Sequence, residues 1–334
     1  MTQTAPQAAA EAGALPERLL AFLAAELAAP GLAYAARPTP MTGGYDTRIF
    51  EFQLSGAPDP FAAPLVLRLL GERDDPARML REKAWHDAVT AGGYPAPRAL
   101  LTSTDVSILG GAFMIMERVA GRPLPEARPF NIGATLAEAQ ARLHALPVPE
   151  SLASFQDGAM TLAGYIARLT ATIDADLPSL RPAMAWVAEH VLLGGERVIC
   201  HGDFHPYNIL WGDDGVSVLD WPNAFLGPAV ADVAATKVIV SYATISGSGP
   251  LMRVFSLLRP LLVRRYLGTY KKLSGRDLAG IEPFEALACM RALVVEGQGR
   301  LQPGVAPRPF EFERIIARFN AITGITPELP EAGA

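Results

Sequence analysis

The spacing of apolar and polar residues changes part-way along the chain. From Pro16 to Ala29, leucines and Phe22 recur every three or four residues, which predicts an amphipathic helix that ends at Pro30-Gly31. Further on, Arg48–Leu54 alternates polar and apolar residues, and Pro64–Leu70 is mostly apolar. We therefore expect two strands that pair as a hairpin.

A helix and two short strands follow this hairpin. The pattern is helical from Ala77 to Ala91, and short strands are predicted near Arg98–Thr102 and Ala112–Glu117. Beyond Gly121 the periodicity is helical over long stretches, beginning with Ile132–Leu146. A single interruption, where two short apolar runs flank polar residues, breaks this helical part.

The length of the chain supports a division into two lobes, because 334 residues are many for one hydrophobic core. We place the boundary at about Val119. The predicted fold class is α+β, with a flexible tail over residues 1–15, a small β-rich N-lobe over residues 16–119 and a larger helical C-lobe over residues 120–330.

Composition excludes several classes of protein. The net charge of −5 gives no reason to expect a nucleic-acid partner, and two cysteines are too few for a disulfide framework. We find no signal-peptide pattern and no apolar stretch long enough for a membrane span. A cytoplasmic protein with no membrane association and no obligate protein partner is expected.

The interruption in the helical part carries the candidate chemistry. Asp203 and Asn208 lie on a predicted loop between two apolar runs, and Asp220 ends a further apolar run, Val216–Leu219. Phosphoryl transfer from a nucleotide needs magnesium, which prefers carboxylate and amide oxygens, and a carboxylate that orients the attacking hydroxyl. An Asp-x4-Asn loop followed by an aspartate at a strand end is the arrangement of base and metal ligands in protein kinases.

Two other interpretations of this loop stay open. Aspartate and asparagine are common in turns, so ordinary turn caps are the simplest alternative, although three at these spacings make it a poor one. His201 and His205, on either side of Asp203, also fit a zinc hydrolase. That alternative leaves Asn208 and Asp220 unexplained.

The segment His201–Leu210, followed by Asp220-Trp221, resembles the aminoglycoside phosphotransferase and choline kinase family. Met114–Leu124 resembles that family's strand and hinge, and Ala141–Pro147 resembles its first large helix. The resemblance covers roughly residues 40 to 240. It implies a protein-kinase-like fold, ATP or GTP as co-substrate, Mg²⁺, and a small-molecule hydroxyl as acceptor.

The resemblance also implies roles for the residues of the loop. Asp203 takes the place of the catalytic base, and Asn208 and Asp220 take the places of the magnesium ligands. His201 and His205 would brace the loop by hydrogen bonds.

Other residues take the family's nucleotide-binding positions. Arg68 stands where the family has a phosphate-binding lysine, and Glu82 stands where the facing helix carries that lysine's partner. Gly43-Gly44 resembles the turn that covers the phosphates, and the backbone from Glu117 to Val119 corresponds to the adenine-binding hinge. Arginine differs from lysine in size and geometry, so Arg68 also opens the possibility of a nucleotide-binding pseudokinase that serves as a regulatory module.

Some of these residues could instead have purely structural roles. Arg68 and Glu82 could form a solvated surface pair. Asp232 matches the family's acidic helix start and would support the catalytic loop; its simplest role is the N-cap of the following helix. Trp221 is expected to be a packing residue.

The acceptor is the least determined part of the prediction. Residues 237–334 contain 13 Lys and Arg against 8 Asp and Glu, a balance of +5. A basic C-terminal region does not suit a cationic acceptor. We expect a neutral or anionic metabolite or an antibiotic, with an aminoglycoside phosphotransferase proper as the alternative. A protein kinase is disfavoured because no activation segment with an Ala-Pro-Glu-like end follows Asp220.

Overall fold

The computed structural model describes residues 5–41, 47–72, 74–153, 158–243, 250–301 and 310–331. The chain forms two compact units. The first unit contains Met1–Gly121 together with Ser217–Pro222, and the second contains Arg122–Val216 and Asn223–Ala334. Ser217–Pro222, which lies inside the predicted C-lobe of residues 120–330, belongs to the first unit, where Trp221 packs against Tyr94.

The first unit is an antiparallel sheet with helices. Its elements are α1 (Ala5–Glu26), β1 (Ala33–Pro40), β2 (Thr47–Ser55), β3 (Leu65–Leu70), α2 (Ala77–Ala91), β4 (Ala99–Ser103), α3 (Val106–Leu109) and β5 (Phe113–Glu117). The strands form a five-stranded sheet in the order β1-β2-β3-β5-β4. The predicted hairpin of β2 and β3 is present, and the glycine turn Gly43-Gly44 lies outside the described residues.

The central strand β3 is apolar at every position except Arg68 because both of its faces are covered. Leu65, Leu67 and Leu69 pack in the core shared with α1, whereas Leu70 packs with Met79 of α2 on the opposite face. Successive side chains of a strand point to opposite faces of the sheet. Position 68 therefore lies on the face covered by α2, where it pairs in register with Met114 of β5.

Helix α1 includes most of the segment that was predicted as a flexible tail, residues 1–15. The helix begins at Ala5, and its leucines Leu15, Leu19 and Leu23 are buried against the sheet. The segment before Pro16 is rich in alanine, which has the highest helix propensity of all residues. The alanine content of this segment therefore favours a helix.

The second unit is mainly helical. Its elements are β6 (Arg122–Pro123), α4 (Leu124–Ala127), α5 (Ile132–His144), α6 (Glu150–Ala153), α7 (Leu162–Asp176), α8 (Arg181–His190), β7 (Val198–Cys200), β8 (Ile209–Gly212), β9 (Gly215–Val218), β10 (Phe225–Gly227), α9 (Ala229–Tyr242), α10 (Pro250–Ser274), α11 (Glu282–Leu301) and α12 (Phe312–Thr323). Single 3-10 turns lie at Gly158–Met160, Pro178–Leu180 and Pro206–Asn208. Strand β9 begins in this unit and ends in the first.

Two short strand pairs carry the loop between β7 and β8. Strand β7 pairs antiparallel with β10, and β8 pairs antiparallel with β6. The loop bends sharply at Gly202, whose φ is +74° and where a side chain would overlap the Asn223 carbonyl oxygen. Only glycine fits this position without strain. No helix among the described residues combines the length and the apolar character needed to cross a membrane.

Candidate active site

Three charged side chains meet on the α2 face of the first unit. Arg68 Nη1 lies 2.9 Å from Glu82 Oε1 and 3.0 Å from Asp220 Oδ1. Glu82 is on the buried face of α2, and Asp220 is on the segment Ser217–Pro222 that this unit includes. One guanidinium group therefore joins the central strand, the helix and this later segment.

Burial distinguishes this cluster from a surface ion pair. Arg68 is 7% exposed and Glu82 is 1% exposed, so the surface-pair alternative is wrong. Burial raises the pKa of Glu82, and the positive charge of Arg68 opposes that rise. Lys83 instead forms an exposed pair with Asp87, which shows that the neighbouring lysine does not replace Arg68 in this cluster.

Asp220 is held in an unusual backbone conformation. Its φ is +67°, in the left-handed region that non-glycine residues seldom adopt and that aspartate tolerates better than most. Trp221, fully buried, packs edge-on against Tyr94 and donates from Nε1 to the Val218 carbonyl. The Val218 amide in turn donates to the Pro95 carbonyl. These contacts fix the backbone on both sides of the carboxylate.

The predicted hinge lies at the end of strand β5. The Glu117 carboxylate pairs with Arg98, and the Glu117 amide donates to the Arg98 carbonyl. The Arg118 amide donates to the Pro64 carbonyl, which continues the strand pairing by one residue. Val119 follows, half-buried, outside the strand.

Replacement of Arg68 by glutamine is expected to lower the free energy of unfolding by about 2–3 kcal/mol, because the buried Glu82 carboxylate loses its cation. The double variant Arg68→Gln/Glu82→Gln should recover most of that loss, since no buried charge then lacks a counter-ion. Urea unfolding of both variants measures the effect. Lys83→Gln, on the exposed face of α2, is the matched control, and equal destabilisation of the single and double variants would contradict the interpretation.

In the second unit, the loop after β7 presents the Asp203 carboxylate. Its side chain is 22% exposed, so it is accessible although its neighbours are packed. The Asp203 amide donates to His201 Nδ1 at 3.2 Å, and Asn208 Nδ2 donates to the Asp203 carbonyl at 3.0 Å. Residues before and after Asp203 therefore bond to its own backbone, which fixes the direction of the carboxylate.

Arg291 of α11 contacts this carboxylate and was not predicted from the sequence. Its Nη2 lies 3.1 Å from Asp203 Oδ2, its Nη1 lies 3.4 Å from Asp203 Oδ1, and Nη1 also donates to the Gly202 carbonyl. Burial acts to raise the pKa of Asp203, but the charge of Arg291, followed by that of His205, holds this pKa below its usual value. The carboxylate is thus kept ionised.

The two histidines of the loop form hydrogen bonds within it. His201 is fully buried and accepts the Asp203 amide, while His205 Nδ1 accepts the Tyr207 amide at 3.2 Å. No group of three His, Cys, Asp or Glu side chains in the described part of the chain could hold a metal ion.

Asp232 holds the backbone of the loop after β7 by hydrogen bonds. Its carboxylate, fully buried, accepts the amides of His201 at 3.1 Å and Gly202 at 2.7 Å. The prediction that it caps helix α9 is wrong: the helix begins at Ala229 after Pro228, and Asp232 lies within the first turn. Its side chain faces the loop after β7 instead of the open amides of its own helix.

A buried polar network extends this anchor to helices α5 and α10. Gln140 Nε2 donates to Asp232 Oδ2 at 2.9 Å, and His144 Nε2 lies 3.0 Å from the same oxygen. His144 Nδ1 lies 2.6 Å from the Tyr270 hydroxyl, and the Tyr266 hydroxyl donates to Gln140 Oε1. Burial acts to raise the pKa of Asp232, yet these hydrogen bonds and charges hold it below its usual value.

Most of the lysines and arginines of residues 237–334 form ion pairs with carboxylates of the second unit. Its ion pairs are Lys237–Glu285, Arg259–Glu311, Lys271–Asp277, Arg276–Glu196, Arg291–Asp203, Arg300–Glu296, Arg314–Glu311 and Arg318–Glu285. Net charge along this part of the sequence therefore says little about the acceptor. Of these cations, Arg291 is the one that pairs with the proposed catalytic carboxylate.

Comparison with known proteins decides the family. A model of the phosphotransferase enzyme family, APH, matches residues 37–272. The chain belongs to this family. The resemblance and the kinase-like α+β fold predicted from the sequence are both confirmed, and so is the prediction of a phosphotransferase enzyme.

Solved structures of this family share the fold of the chain. A candidate aminoglycoside phosphotransferase from Ralstonia eutropha is 22% identical, with a TM-score of 0.61 over 92% of this chain and 95% of that protein. Amicoumacin kinase hAmiN, solved with AMP-PNP, Ca²⁺ and its ligand Ami, is 16% identical, with a TM-score of 0.58 over 88% of this chain and 90% of that protein. At these identities the likeness shows the fold alone.

Curated relatives share only part of their length with this chain. Acyl-CoA dehydrogenase family member 11 from Gallus gallus is 28% identical over 172 residues, which are 46% of this chain and 22% of that protein. The match thus spans about a fifth of the relative. It carries no acyl-CoA dehydrogenase activity over to this phosphotransferase.

Proposed function

We propose that this phosphotransferase transfers the γ-phosphoryl group of ATP or GTP to a hydroxyl of a small molecule, with Asp203 as the catalytic base. The observation that carries the proposal is the Asp203 carboxylate itself. It is accessible and ionised, on a loop whose backbone is bonded to His201, Asn208 and Asp232. A carboxylate held in this way suits the orientation of a hydroxyl at the start of phosphoryl transfer.

In this proposal the acceptor hydroxyl donates a hydrogen bond to Asp203, and its proton passes to that carboxylate as the oxygen bonds to phosphorus. The bond from the γ-phosphorus to the oxygen that bridges it to the β-phosphorus breaks, and the nucleoside diphosphate, ADP or GDP, leaves. Positioning of the hydroxyl is the main task of the loop, because phosphoryl transfer needs little covalent chemistry from the protein. His201 and Asp232 hold the loop but touch neither reactant.

Asn208 and Asp220 are the proposed magnesium ligands. The amide of Asn208 donates through Nδ2 to the Asp203 carbonyl, so its oxygen is directed away from that bond and is suited to a cation. The side chain of Asp220 is 41% exposed. Two protein oxygens fit Mg²⁺, which commonly keeps water and phosphate oxygens as its other ligands. Magnesium would neutralise the charge that develops on the phosphates.

Arg68 and Glu82 keep the nucleotide-binding roles that their positions predict. A guanidinium that joins Glu82 and Asp220 can also clamp a phosphate, bidentately and without titrating. Gly43-Gly44 and the backbone from Glu117 to Val119 complete the proposed nucleotide site. The AMP-PNP and Ca²⁺ bound to amicoumacin kinase support the use of a nucleotide and a divalent cation.

For the acceptor we propose a neutral or anionic hydroxylated metabolite or an antibiotic. The compounds that related kinases accept are small molecules, such as amicoumacin in the kinase of that name. A cytoplasmic location suits the two free, buried thiols, Cys200 and Cys289.

An acceptor panel tests the proposal. Purified protein is incubated with Mg-ATP, or Mg-GTP, and hydroxyl compounds grouped in trios that share a carbon skeleton but end in an acid, a neutral group or an amine, such as glucuronate, glucose and glucosamine. Kanamycin is included as a polycation. Acceptor-dependent nucleoside diphosphate release is expected from at least one compound. Nucleotide binding without magnesium-dependent turnover would favour the pseudokinase alternative and overturn the proposal.

A further inference from the structure

We propose that Arg291 sets the preference of the enzyme among acceptors of different charge. Its guanidinium group compensates the negative charge of the catalytic base and so disfavours cationic acceptors. This inference rests on the proposed function, because it concerns the acceptor of that same reaction. It assigns a specificity-determining role to a residue of α11, far in sequence from the loop that it contacts.

The geometry places the guanidinium group against both oxygens of the base. Nη2 lies 3.1 Å from Asp203 Oδ2, and Nη1 lies 3.4 Å from Asp203 Oδ1. The additional bond from Nη1 to the Gly202 carbonyl holds the guanidinium on the loop backbone as well. Arg291 is 19% exposed in its side chain, so it lies at the edge of the region that an acceptor can reach.

Any hydroxyl that binds Asp203 must come close to Arg291. A hydroxyl oxygen lies about 2.7 Å from a carboxylate oxygen that it bonds to. It would therefore lie within about 6 Å of the Arg291 nitrogen next to Asp203 Oδ2. A charged group a few bonds further along the acceptor would still interact electrostatically with the Arg291 guanidinium. At an effective dielectric constant of about 20, the interaction changes affinity by about 10- to 100-fold.

Tyr165 of α7 lies close enough to Arg291 and Asp203 for both charges to act on its hydroxyl. Tyr165 and Arg168 lie one turn apart on α7, and the Arg168 guanidinium lies 5.9 Å from the centre of the Tyr165 ring. Burial raises the pKa of Tyr165, while the charges of Arg291 and Asp203 act on the same hydroxyl in opposite directions. The charges that act on Asp203 are those of Arg291 first and then His205, and both reduce the attraction of its carboxylate for an amine.

A residue that merely holds the loop would behave differently. Loss of a purely structural Arg291 would slow all acceptors alike, because the base would be misplaced for every one of them. Loss of a charge-compensating Arg291 would change the ranking of acceptors, since the uncovered Asp203 charge favours cations and disfavours anions. The ratio of kcat/KM between matched acceptors separates the two roles.

The test compares wild type, Arg291→Gln and Arg291→Lys on the acid, neutral and amine members of the trio that contains the best acceptor. In the wild type the amine should be the poorest member. In Arg291→Gln the acid-to-amine ratio of kcat/KM should fall by about 10- to 100-fold, and in Arg291→Lys it should stay within about threefold of wild type, because lysine keeps the charge. Arg300→Gln, on the same helix and paired with Glu296, is the control and should leave the ratio unchanged.

Each outcome bears on the inference. An amine as the best wild-type acceptor, or an unchanged ratio in Arg291→Gln, would overturn it while leaving the proposed function intact. If Arg291→Gln does not fold, collapse of the ratio in Arg291→Lys would overturn it as well, and retention would support it. No turnover of any panel member would overturn the proposed function, and this inference with it.

Discussion

Asp203→Asn is expected to lower kcat by about 10²- to 10⁴-fold with little change in stability, because a general base contributes about that factor. Asparagine keeps the size of the side chain but cannot accept the proton of the hydroxyl. The backbone of Asp203 carries its bonds to His201 and Asn208, and these do not depend on the carboxylate. Nucleotide affinity should stay close to that of wild type. The measurement is acceptor-dependent ADP release under saturating nucleotide.

The control for this prediction is Asp213→Asn. Asp213 is exposed in the turn that follows β8, on the same stretch of chain, and should tolerate the change. Wild-type kcat in Asp203→Asn would refute the assignment of the base. Loss of nucleotide binding in that variant would indicate a different role for the carboxylate.

Asp232→Ala is expected to destabilise the protein by about 3–5 kcal/mol, the cost of breaking a buried charged group out of its network. Removal of the carboxylate leaves the amides of His201 and Gly202, together with the side chains of Gln140 and His144, without their shared acceptor. Asp232→Asn should be nearly as damaging, because the asparagine NH2 group is a donor. It would face the amides of His201 and Gly202 or the Gln140 side chain, which are donors too. Urea unfolding measures the loss, and residual folded protein should have reduced kcat.

Asp277→Ala is the matched control, since this aspartate is exposed, pairs with Lys271 and accepts the amide of the adjacent Leu278 on the surface. The pKa of Asp232 is lower in the folded protein than its ordinary value of 3.8. Its stabilising effect is therefore complete above that value and is lost as the pH falls through the lowered pKa. Equal stability of Asp232→Ala and wild type would contradict the role of this residue as an anchor.

The sequence was most informative where chemistry is local. Asp203, Asn208 and their histidines lie within eight residues between two apolar runs, so spacing alone identified the loop. The apolar run Pro64–Leu70 identified the second strand of the hairpin, and Arg68 was notable because it interrupted that run. Such features depend on short-range periodicity, which a single sequence displays.

Features that depend on distant contacts could not be predicted. Arg291 is one of 13 cations in residues 237–334, and nothing in its neighbourhood distinguishes it from the others before the fold brings it to Asp203. Strand β1 was missed because most of its residues are exposed and it carries two prolines, as suits an edge strand. Segment Ser217–Pro222 begins inside β9 without a change of composition, so its membership of the first unit is visible only from the packing of Trp221.

Transfer of a labelled γ-phosphoryl group tests the central claim most directly. Protein is incubated with magnesium and ATP labelled in the γ-phosphoryl group, with and without the best acceptor of the panel, and the products are separated and identified by mass spectrometry. We predict label on a hydroxyl of the acceptor in the wild type, and label that remains in ATP with Asp203→Asn. Label that reaches only inorganic phosphate or the protein itself, or that reaches the acceptor equally with Asp203→Asn, would contradict the account.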